Sequence, residues 1–166
     1  YYGEIKNCDI ANGEGVRVTL FVLHQPLQKL LQPQTWDFCY GKPFTAETER
    51  ELLAPDYING LTLLGGEPFA PENQRALLPF LQHVRAALPQ KTIWAFTGFT
   101  WEQLHTDGSH PRCEVTDALL ALLDVLVWAV VEELHDISLR FRGSSNQRII
   151  NVTQTLADGR LTLWED

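Results

Sequence analysis

Cysteine is scarce in this chain, and its placement excludes two of the residue's common uses. Cys8, Cys39 and Cys113 are odd in number and far apart, which argues against a disulfide framework and against a metal-ligand motif. We interpret them as three small, partly buried thiols. The five histidines show no metal-ligand spacing either, and neither a Ser/His/Asp nor a Cys/His catalytic arrangement is evident.

Positive charge and long apolar runs are also in short supply. Thirteen Lys and Arg against 21 Asp and Glu give a formal net charge of −8, which argues against binding to nucleic acid or to anionic membranes. No apolar run approaches the length of a membrane span and no signal peptide is evident, so we expect a cytoplasmic protein. The chain begins at Tyr1 and contains no methionine, and we expect that its start has been truncated or trimmed.

Strand patterns alternate with helix patterns along the chain. Helices are predicted over "AETERELLA" with Thr45 as its cap, from Pro71 to Leu88 with Pro79 as a candidate kink, and over "TDALLALLD" capped by Thr116. Apolar and β-branched stretches predict the following strands: "VRVTLFV", "GLTLLGG", "KTIWAFTGF", "DVLVWAVV", "IINV" and "LTLW". The alternation predicts a parallel sheet in a single α/β domain, residues 1–166, with any ligand at the carboxyl ends of the strands.

Glycine-containing turns adjoin the predicted strands. Without a Cβ, glycine lets backbone amides and carbonyls approach a ligand closely, and Glu67 adds an acceptor suited to an ammonium group. Any one of these turns alone would be interpreted as a tight turn, but together with "RGSSNQR" they favour a ligand site. The three turns are Gly65-Gly66-Glu67-Pro68, Thr97-Gly98 and Asn12-Gly13-Glu14-Gly15.

The polar loop that contains Ser144 and Asn146 permits two interpretations. Arg140, Arg142 and Arg148 flank it, and a solvated loop is the simpler interpretation. In the other, guanidinium groups and hydroxyls form a clamp for a carboxylate or for ribose hydroxyls.

In this order, the sequence blocks resemble one family over nearly the whole chain. "NGEGVRVTLFV", "GLTLLGGEPF", "TIWAFTGFT" and "HDISLRFRGSSNQRII" are similar to the activating proteins of anaerobic ribonucleoside-triphosphate reductase, which are small radical S-adenosylmethionine (SAM) enzymes. The resemblance implies an open, partial (β/α) barrel in which the Gly65–Pro68 turn binds the SAM amino group. Thr97, Gly98 and the Ser144–Asn146 loop would lie nearby, and we assign Asn12 and Gly13 to the same cofactor site.

The resemblance also implies a reaction and its partners. In the family, a CxxxCxxC loop after the first strand holds a 4Fe-4S cluster, whose fourth iron binds SAM. Reductive cleavage of SAM would then generate a radical that abstracts a hydrogen from a glycine of the reductase. The implied partners are the large subunit of that reductase and a flavodoxin-like or ferredoxin-like electron donor, with no nucleic acid and no membrane.

The corresponding loop of this chain, between Phe21 and Trp36, contains no cysteine. Leu23, Leu27 and Leu30 stand at the CxxxCxxC spacing, which is also the spacing of the apolar face of a helix. Leucine cannot ligate iron, so the chain as written is predicted to lack the cluster and to be inactive.

A shift of reading frame would account for the leucines. A leucine codon CTG followed by C reads as TGC, cysteine, one nucleotide later, and synonymous codons exist for which "LHQPLQKLLQ" becomes Cys-Thr-Asn-His-Cys-Lys-Asn-Cys-Phe. "VLVWAVVEEL" is irregular too, because the resemblance predicts Asp-Gly after Val127 and the TGG codon of Trp128, shifted by one, yields glycine. We therefore favour the hypothesis that Leu23 to about Gln32 is a frame-shifted cluster loop.

Two other hypotheses remain open. The first is a cluster-free relative that keeps the SAM pocket or the surface that docks to the reductase. The second is an ordinary α/β nucleotide-binding protein, which is disfavoured because the sequence contains no GxGxxG motif and no phosphate-binding loop.

Overall fold

The structure, a computed structural model, describes residues 2–22, 53–128, 139–141 and 145–164. The predicted helix over "AETERELLA" and its cap Thr45 lie outside these residues, except for Leu53 and Ala54. The three leucines of the predicted cluster loop also lie outside them.

Within the described part of the chain, one sheet of six strands forms the centre of the protein. The strands lie side by side in the order in which they occur in the sequence. β2 to β5 pair in parallel, and β1 and β6 pair antiparallel at the two edges. The prediction of an α/β protein with a parallel sheet is thus confirmed for the four central strands. Their bounds are β1 Tyr2–Asp9, β2 Arg17–Val22, β3 Gly60–Gly65, β4 Thr92–Thr97, β5 Val125–Trp128 and β6 Arg148–Asn151.

Two strand assignments differ from the prediction. β1 was not predicted, because its sequence "YGEIKNCD" has a single large aliphatic residue, Ile5, and most of its side chains are at least partly exposed. The predicted strand "LTLW" is not a strand of the sheet. There, Leu163 makes an isolated antiparallel bridge to Ile150, so this segment only extends the edge of β6.

Four helices accompany the sheet in the described part of the chain. Pro71 opens the longest of them, as predicted, and Pro79 lies inside this helix without ending it. The prediction that Thr116 caps a helix is wrong, because Val115 holds the cap position and the buried Thr116 hydroxyl bonds to Gln74 instead. The helices are α1 Pro71–Ala87, α2 Trp101–His105, α3 Thr116–Leu120 and α4 Val152–Asp158. None of the described helices is long and apolar enough to cross a membrane.

The two faces of the sheet have different environments. Side chains of alternate strand residues, such as Leu20, Leu63 and Ala95, pack against the helices in the larger core. On the other face, a smaller cluster around Trp94 and Val127 packs against Phe141 and Trp164, which lie outside the helices. We call these the helix face and the open face of the sheet.

A buried arginine fixes the amino-terminal part of the open face. The Arg17 guanidinium donates five hydrogen bonds, which reach Thr62, Glu14, Leu61 and both the hydroxyl and the carbonyl of Thr92. Because all its N–H groups are satisfied, the buried charge is tolerated. Arg17 therefore ties β2 to β3 and β4 at the end of the sheet opposite to the one where a ligand is expected.

Candidate functional site

One side chain joins the carboxyl ends of β3 and β4. Glu67 lies two residues beyond β3 and is buried, with 8% of its surface exposed. Its Oε1 accepts hydrogen bonds from the Phe69 amide (2.9 Å) and from the Thr97 hydroxyl (2.7 Å), and its Oε2 accepts one from the Gly98 amide (2.8 Å). The structure thus brings together two of the predicted turns, Gly65–Pro68 and Thr97-Gly98.

The backbone of the first turn is held on both sides. The Gly66 amide donates to the carbonyl of Val22, which continues the pairing between β2 and β3. The Glu67 carbonyl accepts from the Ala70 amide and from the Asn73 side chain (2.8 Å). Pro68 lies between these anchored residues, so the whole turn has little freedom to move.

Gly65 has a conformation that few other residues would adopt. Its φ is +85°, and a Cβ placed on it would lie 3.1 Å from the Cβ of Phe21. Both the left-handed backbone and the close neighbour explain why glycine stands at this position. The turn can therefore present its backbone at the edge of the sheet without an intervening side chain.

The Glu67 carboxyl group is buried without a cationic partner in the part of the chain that the structure describes. Burial raises the pKa of this carboxyl group, although the hydrogen bonds from Thr97, Gly98 and Phe69 act in the opposite direction. In the part of the chain that the structure describes, no Lys or Arg side chain contacts it. A buried carboxylate has capacity for about four hydrogen bonds, and the three it accepts leave it able to receive one more donor, such as an ammonium group.

Thr97 is linked to the predicted ligand site by its hydrogen bond to Glu67. Its hydroxyl donates to Glu67 and accepts from the Phe99 amide (3.1 Å). The side chain is buried, so it orients the carboxylate rather than presenting a group of its own to a ligand. Its assignment as a cofactor-binding residue stays a prediction.

Asn12 and Gly13 lie in a different place. The Asn12 side chain donates to Asp9 (2.6 Å), its carbonyl accepts from the Thr62 hydroxyl (2.7 Å), and a Cβ on Gly13 would lie 2.7 Å from Cδ of Arg17. Among the described residues, none of these contacts leads to Glu67. The turn precedes β2 and therefore lies at the amino-terminal end of the parallel strands.

Only part of the "RFRGSSNQR" loop can be located. Asn146 is half-buried and lies two residues before β6. Since β6 is antiparallel to β5, this residue is at the end of the sheet where β5 finishes, and its assignment to the cofactor site stays a prediction. Ser144 and Arg142 lie outside the described residues.

The two described arginines of this loop do not form one clamp. The Arg140 guanidinium lies 4.7 Å from the ring centroid of Phe141, which packs in the open-face cluster. The Arg148 guanidinium lies 5.8 Å from the ring of Trp128, which packs against the helix-face core. The two guanidinium groups therefore lie on opposite faces of the sheet.

Two buried polar residues near the turn were not predicted as functional. Asn73 and Gln74 lie on the buried side of α1 and bond to the backbone of Glu67 and Phe69. The sequence signal was that these two amide residues share a helix face with Leu77 and Leu81. Such a pattern is informative because a polar residue at a core position usually has a specific hydrogen-bond partner.

Comparison with known proteins identifies the class of the chain. Residues 11–150 match the family model described as "4Fe-4S single cluster domain". Proteins named anaerobic ribonucleoside-triphosphate reductase-activating protein are similar over most of their length. The one from Pasteurella multocida is 37% identical over 154 residues, 88% of this chain and 94% of the relative. The one from phage T4 is 35% identical over 154 residues, 89% and 92% of the two chains.

A third relative, from Escherichia coli K12, is 34% identical over 156 residues, 88% of this chain and 95% of its own. No solved structure matches the chain. The chain belongs to the family of anaerobic ribonucleoside-triphosphate reductase-activating proteins, as its sequence blocks predicted.

The donor atoms of this chain do not fit the cluster that the family model implies. Such clusters are held by cysteine thiolates, whereas Leu23, Leu27 and Leu30 carry hydrocarbon side chains. Within the described ranges, no group of three His, Cys, Asp or Glu residues could hold a metal ion. Cys8 is exposed at the end of β1, contrary to the prediction of a partly buried thiol, and Cys113 is half-buried before α3. Cys39 lies outside the described residues.

Proposed function

We propose that this protein is the activating component of an anaerobic ribonucleoside-triphosphate reductase, and that it binds SAM at the carboxyl ends of β3 and β4. The names of the relatives support the partner. The observation that carries the SAM site is the buried Glu67 carboxylate, which is fixed by Thr97 and Gly98 and has no cationic partner among the described residues. The ammonium group of SAM supplies the missing charge.

We further propose that the sheet is the wall of an open, partial (β/α) barrel. Its four parallel strands, with helices packed on one face, support this proposal. The open face then lines the interior, where Arg17 and Trp94 fill the amino-terminal part. A ligand enters at the other end, above the Gly65–Pro68 turn, as in other sheets whose ligands lie at the carboxyl ends of the strands.

The proposed reaction requires a chain in which the loop after β2 contains the CxxxCxxC cysteines. Cleavage of SAM and formation of a glycyl radical on the reductase require a one-electron donor beside SAM, and a flavodoxin-like or ferredoxin-like protein supplies the electron. The chain as written has no cysteine between Phe21 and Trp36, where the family resemblance predicts the cluster loop. We therefore propose that the activity resides in the protein encoded when Leu23 to about Gln32 is read in the frame that restores CxxxCxxC.

The nucleotide sequence across the codons for Val22 to Gln34, from independent clones, is the first test. The expected result is a frame that encodes CxxxCxxC. Protein made from that frame should then bind iron after anaerobic reconstitution, with charge-transfer absorbance, and should produce a glycyl radical signal on the reductase. The chain as written is the matched control and should do neither. DNA without such a frame would remove the frame-shift part of the proposal.

A second candidate function is a cluster-free protein that binds SAM or docks to the reductase. The chain as written retains the three hydrogen bonds that hold Glu67 without any cluster cysteine, and this favours the second candidate. This candidate would replace the first if the nucleotide sequence encodes the leucine loop as written and the unmodified chain binds SAM in titration calorimetry.

A further inference from the structure

The first turn of α1 has a glutamine at a position where the helix is completely buried. Gln74 has no exposed surface, although Leu77 and Leu81 on the same face are typical core residues. A buried amide costs free energy unless each of its polar groups has a partner. The contacts of Gln74 therefore show what this residue does.

Every polar group of the Gln74 side chain has a partner. Its Nε2 donates to the carbonyls of Phe69 (2.7 Å) and Pro111 (2.5 Å), and its Oε1 accepts from the Thr116 hydroxyl (2.8 Å). The Thr116 hydroxyl in turn accepts from the Cys113 amide (2.9 Å). One side chain thus links α1 to the segment after β3 and to the segment that leads into α3.

The link continues to the candidate ligand site through Phe69. The Phe69 amide donates to Oε1 of Glu67, while its carbonyl accepts from Gln74. The Phe69 ring is fully buried, so its backbone cannot shift without disturbing the core. A displacement of Phe69 would move one of the three donors that hold the Glu67 carboxylate, and the carboxylate would lose its fixed position relative to Gly98.

We infer that Gln74 is a positioning residue for the Glu67 carboxylate, and that Thr116 completes the unit by holding the Gln74 amide in one orientation. A hydrocarbon side chain of similar size would fill the same volume, but it could not donate a hydrogen bond to the Phe69 carbonyl and hold it in position. A fully satisfied buried network specifies one geometry. With respect to SAM, this inference rests on the proposed function.

The test compares three substitutions by amide hydrogen exchange of the full-length chain. Gln74→Met keeps the volume and removes all three hydrogen bonds, whereas Thr116→Val removes the hydroxyl and Thr116→Ser retains it. The reporters are the amides of Phe69 and Gly98, because both donate to Glu67. Exchange of the core strand amide of Ile93 reports the change in global stability.

A buried threonine at the opposite end of the sheet provides the matched control. Thr155 is buried and its hydroxyl accepts from the Thr162 amide (3.0 Å). Thr155→Val should therefore destabilise the protein without a selective effect on the reporters near Glu67.

We expect Gln74→Met and Thr116→Val to accelerate exchange at Phe69 and Gly98 by about tenfold beyond the change at Ile93. Thr116→Ser should remain close to the parent chain. If the two reporters change no more than they do in Thr155→Val, or if Thr116→Ser behaves like Thr116→Val, the inference is wrong. The two Thr116 substitutions decide the matter even if Gln74→Met does not fold.

Calorimetric titration with SAM separates this inference from the proposed function. If the parent chain binds SAM, both network-breaking substitutions should weaken the affinity by about tenfold, while Thr155→Val leaves it unchanged. If the parent chain does not bind SAM, the proposed ligand site fails. The exchange data at Phe69 and Gly98 would still show whether Gln74 positions Glu67.

Discussion

The Thr97 hydroxyl donates a 2.7 Å hydrogen bond to Oε1 of Glu67 and thereby ties the end of β4 to the turn that follows β3. The same carboxylate accepts from the Gly98 amide, so both residues of the Thr97-Gly98 turn hold it. Burial raises the pKa of this carboxyl group and these neutral donors lower it, and among the described residues no Lys or Arg contacts it. A cationic ligand at this edge of the sheet would favour the ionised form of Glu67.

Replacement of Glu67 by Gln should separate ligand binding from stability. Glu67→Gln removes the charge that would attract the SAM ammonium group, and we expect SAM affinity to fall at least about tenfold. The free energy of unfolding at pH 7 should change by only about 1 kcal/mol, because the loss of hydrogen bonding to Gly98 is offset by removal of a desolvated charge. Titration calorimetry and urea denaturation measure the two quantities.

The control for this substitution is Glu72→Gln, on the exposed side of the first turn of α1. It removes the same charge a short distance away and should leave both quantities near their parent values. Equal SAM affinity in Glu67→Gln and in the parent chain would contradict a direct contact between Glu67 and the ligand.

Glycine should be required at position 65 because of its left-handed φ angle and because of its close contact with Phe21. Gly108, which has only the first of these features, allows the two effects to be measured separately. Gly65 and Gly108 have similar left-handed φ angles, +85° and +79°, but a Cβ on Gly65 would crowd Phe21 and one on Gly108 would meet nothing within 4 Å. We expect Gly108→Ala to cost about 1 kcal/mol of stability from backbone strain alone. Gly65→Ala should cost about 1 kcal/mol more, and it alone should weaken SAM binding. Equal losses of stability in thermal unfolding would show that the contact with Phe21 is relaxed without cost.

The pH dependence of stability should reveal the buried carboxylate of Asp9. Burial alone would raise its pKa, but hydrogen bonds from Thr19, Ala11, Asn12 and Lys6 outweigh burial and hold the pKa well below the ordinary value of 3.8. A lowered folded-state pKa stabilises the protein above the unfolded-state pKa, and this stabilisation is lost as the pH falls below about 3.8.

We therefore expect Asp9→Asn to destabilise the protein by about 2 kcal/mol at pH 7 and by much less near pH 2. Urea denaturation at both pH values measures the difference. Asp158→Asn, on the exposed end of α4, is the control and should have little effect at pH 7. A destabilisation by Asp9→Asn that does not depend on pH would mean that its hydrogen bonds do not require the charge.

The central strands could be predicted from the sequence because their apolar, β-branched runs are buried on both faces. β1 could not, since "YGEIKNCD" has few apolar residues and becomes a strand through its pairing with β2. Such an edge strand depends on a tertiary contact that no local pattern encodes. The same limitation explains Thr116, whose hydroxyl was predicted to cap its own helix and instead bonds to a residue 42 positions away.

The candidate site was predictable where glycine and an acidic residue follow a strand. The sequence of Gly65, Gly66 and Glu67 indicated both the sharp turn and the acceptor. Gln74 gave a weaker signal, its place on the same helix face as Leu77 and Leu81, because an amide on a helix resembles a surface residue until its partners are known. The Asn12-Gly13 turn was assigned to the same site because it is a glycine-containing turn beside a predicted strand, yet it precedes that strand and so lies at the opposite end of the parallel sheet.

Trp128 offers a test of the hypothesis that parts of this chain are translated out of frame. Its indole N–H is buried and has no acceptor within the described part of the chain, and this residue stands where the family resemblance predicted Asp-Gly. An unsatisfied buried donor costs about 1–3 kcal/mol, which is the kind of misfit that an out-of-frame codon would leave. Trp128→Phe keeps an aromatic ring under the Arg148 guanidinium and removes the donor. We therefore expect it to raise the free energy of unfolding by about 1 kcal/mol, as measured by urea denaturation.

The matched control is Trp164→Phe, which should destabilise the protein. Trp164 makes edge contacts with Trp94 (5.2 Å between ring centroids) and with Phe141 (6.0 Å), so a smaller ring loses packing on the open face without relief of a buried donor. Opposite signs for the two substitutions would identify Trp128 as a residue that its surroundings do not accommodate, in agreement with a frame error. A loss of stability in Trp128→Phe as large as that in Trp164→Phe would instead show that the indole belongs to the native packing. The frame-shift hypothesis would then depend on the leucine loop alone.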